Sequence, residues 1–158
     1  MYEKSLLIVK PEGVTRGLIG KIITRFEDCG LKVHAMRFEV PKREVVEAHY
    51  DEHVGKPFFP SIVGYMSSGP VVVFVLGGVS CVAKIRQIVG ATTPTEAAPG
   101  TIRGDFAHQD KDSGKDRPIY NLIHASANVE DANREIDIWF KPEEVIEYDA
   151  PCDYFHGR

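Results

Sequence analysis

The chain has 158 residues, 43% hydrophobic and 27% charged, the size and balance of one soluble domain that closes a core without disulfides or a structural metal. Its 19 Lys and Arg against 23 Asp and Glu give a net charge of −4, which argues against bulk nucleic acid as a partner but not against single nucleotides, for which a few converging cations suffice. No apolar run reaches membrane-spanning length, and Met1-Tyr2-Glu3-Lys4 passes straight into a strand-length run with no signal-peptide segment, so a cytoplasmic protein without membrane contact is expected.

Ser5–Val9 is a continuous apolar run stopped by Lys10-Pro11, since proline lacks a ladder donor and restricts the residue before it; a buried strand is predicted. Leu18, Ile19, Ile22, Ile23 and Phe26 recur at helical spacing up to Cys29, with Gly30 placed as a C-cap glycine. Leu31, Val33, Ala35, Phe38 and Val40 roughly alternate with polar residues, as in a half-exposed strand ending at Pro41. Lys42–His49 reads as a short helix, and Phe58, Phe59, Ile62, Val63 and Met66 form a second helical stripe closed by Gly69-Pro70. Val71–Leu76, the most hydrophobic run, predicts a central strand. Gly77-Gly78 then turn the chain into a helix over Ser80–Val89, with Ser80 as its N-cap. Gly90–Asn121 is rich in Gly, Pro, Thr and Asp without periodicity, and long ordered loops of this kind tend to carry function. Tyr120–Ile123 predicts a last short strand, and Val129–Phe140 a helix with Ala132, Ile136, Trp139 and Phe140 inward. The order suggests an α+β fold, a ferredoxin-like α/β sandwich with an antiparallel four-stranded sheet and added helices, in a single domain over residues 1–158.

Three segments are candidates for chemistry. Gly13-Val14-Thr15-Arg16-Gly17-Leu18-Ile19-Gly20-Lys21 fits neither GxxxxGK[ST] nor GxGxxG, so it reads as a turn leading into a helix. Pro99-Gly100-Thr101-Ile102-Arg103-Gly104-Asp105-Phe106, together with Arg86 and Thr92, offers two arginines for a polyphosphate, or else a surface loop whose arginines pair with local carboxylates. In Asn121-Leu122-Ile123-His124-Ala125-Ser126, a neutral His124 could attack phosphorus, or be a satisfied polar residue at a strand end. His34, His49, His53, His108 and His156 show no metal-binding spacing; His49 and His53 are an i,i+4 pair but look like a solvated helix end beside Glu52 and Gly55. Cys29, Cys81 and Cys152, odd in number and far apart, read as idle or buried thiols.

Taken in order, Val9-Lys10-Pro11-Glu12-Gly13-Val14, Lys56-Pro57-Phe58-Phe59, Ser68-Gly69-Pro70-Val71, Gly90-Ala91-Thr92 and the two blocks holding Arg103 and His124 make the sequence resemble the nucleoside diphosphate kinase family over nearly its whole length. The resemblance implies a ping-pong transfer of the γ-phosphoryl group of a nucleoside triphosphate such as ATP to a nucleoside diphosphate, with His124 as the nucleophile. It further implies that Lys10, Arg86, Thr92 and Arg103 contact phosphates or ribose, Asn121 the ribose, and that Phe58 stacks on the base with low base selectivity. Ser126 and Glu135 are implied to orient the histidine. Mg²⁺ would arrive on the nucleotide phosphates rather than on protein ligands. A homo-oligomer is implied, a hexamer ahead of a tetramer, with Pro94–Pro99 taking part in assembly.

The chain departs from the family pattern in three places. The segment over residues 108–118 is about eight residues longer than the family's usual connection, an insertion there. Ala125 and Ala127 stand where a glycine and an aspartate are common, and Lys56 where arginine is frequent. Two other readings are open on the residues: a catalytically silent member acting as a scaffold, and a phosphohistidine that serves protein side chains.

Overall fold

A computed structural model describes residues 1–110 and 118–156, without the side chains of 152, 155 and 156. The insertion expected around 108–118 thus lies largely outside the described residues. In chain order the elements are β1 (Tyr2–Val9), α1 (Pro11–Thr15), α2 (Ile19–Glu27), β2 (Lys32–Glu39), α3 (Arg43–His49), α4 (Phe59–Met66), β3 (Val71–Val79), α5 (Cys81–Val89), α6 (Ile102–Phe106), β4 (Ile123–Ala125), α7 (Val129–Trp139) and α8 (Pro151–His156).

The four strands pair antiparallel in the order β2-β3-β1-β4, the ferredoxin-like arrangement expected. Side chains alternate across a strand, so β1 and β3 feed two cores. Leu7, Val9, Val72, Phe74 and Leu76 pack on one face with Ile22 and Phe26 of α2 and Val82, Ile85 and Val89 of α5. Leu6, Ile8, Val71, Val73 and Val75 pack on the other with Val46 of α3, Val63 and Met66 of α4, and Ile136 and Trp139 of α7. Burial on both faces is why these two strands read as unbroken apolar runs rather than alternating ones.

Four local readings are corrected. Gly77 and Gly78 do not turn the chain; they continue β3 opposite Lys4 and Glu3. Glycine is required at 77 by closeness: a Cβ there would lie 2.7 Å from the Tyr2 hydroxyl and against the His34 ring. Ser80 is left-handed, with φ 50°, and makes no side-chain cap to α5; the Glu3 carboxylate accepts from the Val82 N–H at 3.2 Å instead. The last strand begins at Ile123, because Leu122 has φ 71° and cannot extend it backwards. Inside the segment read as loop, Thr101 accepts from the Gly104 N–H and starts α6.

The segment after α7 closes over β2. His34 sits at a bulge in the β2–β3 ladder, its carbonyl accepting from Ile146 N–H at 2.8 Å and its ring 2.8 Å from the Tyr2 hydroxyl. Cys81 is buried with its thiol pushed up to about 12 by burial and by Glu3, while Cys29 is exposed; the side chain of Cys152 lies outside the described residues. No helix among the described residues is long and apolar enough to cross a membrane.

Candidate active site

The same alternation that divides the cores places His124. Ile123 and Ala125 of β4 turn into the first core, so His124 between them faces the second side of the sheet, opposite Ile8. There α7 presents Glu135 on the stripe that also carries Ala132, Ile136 and Trp139, the helical spacing of an inward face. Glu135 Oε2 lies 2.9 Å from His124 Nε2 and accepts from the Ser126 hydroxyl at 2.7 Å. The hydroxyl in turn accepts from the Leu6 N–H at 3.1 Å, which ties the carboxylate to the central strand. One ring nitrogen of His124 is thereby held, and Nδ1 is the nitrogen left for chemistry.

The cations come from three elements. Lys10 follows β1 and is buried, donating from Nζ to Asn121 Oδ1 at 2.6 Å. Asn121 donates to the Thr92 carbonyl at 2.8 Å. Arg103, buried on α6, donates to the carbonyls of Asn121 at 3.1 Å, Gly90 at 3.1 Å and Ile123 at 2.7 Å, leaving its remaining N–H donors for a ligand. Arg86 lies half-buried on α5.

Lys10, Arg86, Thr92, Arg103, Asn121, His124 and Glu135 all line one cleft of about 290 Å³. Ser126 supports it from behind through Glu135. Phe58 is exposed and not part of the wall; it meets the wall through His53, ring to ring at 5.2 Å. Volume alone does not single out this cleft. A depression of about 1110 Å³ beside Asp28, Cys29, Lys84 and Gln87 is larger, but among the described residues its wall brings one cation, Lys84.

His49 corrects the reading of a solvated helix end. It is buried, its ring 4.4 Å from that of His124, and its Nδ1 accepts from the Trp139 indole N–H at 3.1 Å. His49, His124 and Glu135 are close enough to one another to suggest a metal site. Neutral His49, however, must carry its proton on Nε2, because Trp139 occupies the Nδ1 lone pair, and a protonated nitrogen cannot ligate. Tyr50, buried beside His49, also lines the cleft. The sequence held a partial signal for His49 in its i,i+4 spacing from His53, which lines the same cleft, and none for Tyr50.

Burial holds His124 below its ordinary pKa, and Lys10, Arg103, Arg86 and Arg134 reinforce the effect. The ring is therefore neutral at physiological pH, with Nε2–H donated to Glu135. Burial raises Glu135, opposed by His49 and by the Ser126 hydrogen bond. Lys10 is pushed down to about 8 by burial, with Glu12 pulling it up and Arg103 down.

The nucleoside diphosphate kinase sequence profile matches residues 3–145. The chain is 49% identical over 154 residues to the nucleoside diphosphate kinase of Pyrococcus furiosus, covering 98% of this chain and 92% of that one. The chain belongs to the nucleoside diphosphate kinase family. It is accordingly a phosphotransferase of nucleotide metabolism. The Schizosaccharomyces pombe enzyme is 47% identical over 96% of this chain and 95% of its own length. Among solved structures, the Borrelia burgdorferi nucleoside-diphosphate kinase, a transition-state mimic with bound vanadate and ADP, superposes with a TM-score of 0.94 at 42% identity, covering 98% and 96% of the two chains. The Halobacterium salinarum enzyme in complex with CDP gives 0.89 at 39% identity, covering 100% of both. The family implies a divalent metal. The cleft fits it as a passenger on phosphates, since Lys10, Arg86 and Arg103 suit a metal-bearing polyanion better than a bare cation.

Proposed function

We propose that this chain, one domain over its 158 residues, transfers the γ-phosphoryl group of ATP and other nucleoside triphosphates to nucleoside diphosphates through a phosphohistidine on His124. The observation that carries this reading is a neutral histidine, held by Glu135 at Nε2, in a cleft where Lys10, Arg86 and Arg103 converge. The Nδ1 lone pair bonds the γ-phosphorus as the bond from phosphorus to the bridging oxygen breaks, and the diphosphate leaves with that electron pair. The imidazole then becomes cationic, and the Glu135 carboxylate beside Nε2 offsets the charge. A second diphosphate takes the phosphoryl group by the reverse displacement, so the cycle is ping-pong.

Phosphoryl transfer depends on positioning and charge stabilisation. Lys10, Arg86 and Arg103 supply the cations, with Thr92 and Asn121 at ribose and phosphate oxygens. Mg²⁺, bound to phosphate oxygens, would neutralise part of their charge. Phe58, exposed at the rim, stacks on the base and reads its face rather than its edge, which favours low selectivity. We read the molecule as a cytoplasmic homo-oligomer, a hexamer ahead of a tetramer; exposed Met36 and Phe38 on the edge strand β2 support such an assembly.

Incubation with γ-labelled ATP and Mg²⁺, then GDP, tests this directly. Wild type is expected to take up acid-labile label and pass it to GDP, and His124→Ala to take up none. Unlabelled, folded wild type would leave the silent scaffold as the better reading.

A further inference from the structure

Glu12 lies in none of the roles above, yet it touches the turn on which the site is built. Its Oε1 accepts from the Leu122 N–H at 2.7 Å, while its Oε2 is buried with no hydrogen-bond partner among the described residues. Leu122 has φ 71°, a conformation that a leucine keeps only when its surroundings fix it. Both of its backbone groups are fixed: Lys10 N–H donates to its carbonyl at 2.8 Å, and Glu12 takes its amide. α1 seats closely here, and the next residue is glycine: a Cβ on Gly13 would lie 2.8 Å from Val9 Cγ1 and 3.1 Å from the Leu122 carbonyl oxygen. On either side of Leu122 stand Asn121, which holds Lys10, and the strand that presents His124.

We propose that Glu12 is a positioning residue for phosphoryl transfer: its carboxylate locks the left-handed turn at Leu122 that aims Asn121, Lys10 and His124 at one phosphate. The role rests on the proposed transfer at His124. It carries a second effect. Lys10 faces Glu12 from α1 and Arg103 from α6, with the Asn121 amide between, and the Glu12 charge favours the protonated ammonium against burial and Arg103. Around Glu12 itself lie Lys10, Arg16 and the Tyr65 hydroxyl, which accepts from the Glu12 N–H at 3.5 Å.

Two variants separate these effects. Glu12→Ala frees the turn and is expected to slow phosphoenzyme formation by about tenfold to a hundredfold, as for a misplaced reacting group. Glu12→Gln keeps an oxygen for the Leu122 amide but removes the charge. Its rate near pH 7 should stay within about threefold of wild type, while the alkaline fall in kcat/KM expected from loss of the Lys10 proton moves to lower pH. Wild-type rates in Glu12→Ala would overturn the role, and an unmoved alkaline limb in Glu12→Gln would overturn the effect on Lys10. Should Glu12→Ala not fold, exchange of the Leu122 amide in wild type decides: slow exchange supports the lock and fast exchange overturns it. Hydrogen exchange at the Leu122 amide, slow in wild type and fast in Glu12→Ala, reads the lock without catalysis. A wild type that shows the lock but takes no label therefore refutes the transfer reading and with it the positioning role, whereas a labelled wild type with no lock refutes the role alone.

Discussion

The indole N–H of Trp139 is given to His49 Nδ1, so the neutral His49 ring points a proton, not a lone pair, toward the cleft. Burial and the neighbouring His124 keep that ring uncharged. Trp139→Phe keeps much of the ring's packing but leaves Nδ1 unpaired, and a loss of about 1–3 kcal/mol in unfolding free energy is expected by urea titration. Nitrogen chemical shifts of His49 should show the Nε2–H tautomer in wild type and a mixture in the variant. The histidine pair at 49 and 53 was visible in the sequence as a spacing, but its meaning was not. Whether a histidine at a helix end is solvated or buried depends on what packs over it, here Trp139, ninety positions later in the chain.

α7 matters because it carries Glu135. It starts at Asn128, whose side chain accepts from the Asp131 N–H at 2.8 Å. Asn128→Ala should cost about 1 kcal/mol of stability, and a fall of severalfold in turnover is expected as Glu135 loses its fixed approach to His124; thermal melts and steady-state rates check both. Gly77→Ala should cost more, about 2 kcal/mol or above, because the added methyl meets His34 and Tyr2 from within a paired strand. Most strands and helices were legible from periodicity, including β1, β3 and α7. The misreadings share one cause. The Gly77-Gly78 pair reads as a turn unless one knows that two side chains from other strands crowd it, and the start of β4 is displaced because no local signal marks a leucine with positive φ. The site residues could be named through the family resemblance, but not joined: Lys10 and Asn121 are 111 positions apart and meet only in the fold.

At the scale of the whole molecule, His34, His49 and His124 all have lowered folded-state pKa values, burial being the leading cause. The unfolded chain then binds more protons than the folded one below pH 6.5, so stability falls as pH drops through that value and is fully present above it. Each fully depressed histidine contributes about 1 kcal/mol at one pH unit below 6.5. Glu12 and Glu135, raised by burial, act in the opposite sense nearer their own range. The melting temperature should therefore drop between pH 7.5 and 5.5, and drop less in His34→Gln.

Arg103 has a further consequence. β4 bonds to β1 through alternate residues, with Lys10 N–H on the Leu122 carbonyl and Ser126 N–H on the Leu6 carbonyl, so the Ile123 carbonyl points off the open side of the sheet; the Asn121 carbonyl, just before the strand, also accepts from the Ile123 N–H at 2.8 Å. Those are two of the carbonyls the Arg103 guanidinium covers. An uncovered row of such groups is a template on which another chain can add a strand. Arg103→Ala should thus lose solubility as well as activity and scatter light on warming, whereas Arg86→Ala should lose activity and stay clear: the residue proposed to grip phosphate would also keep the sheet from growing.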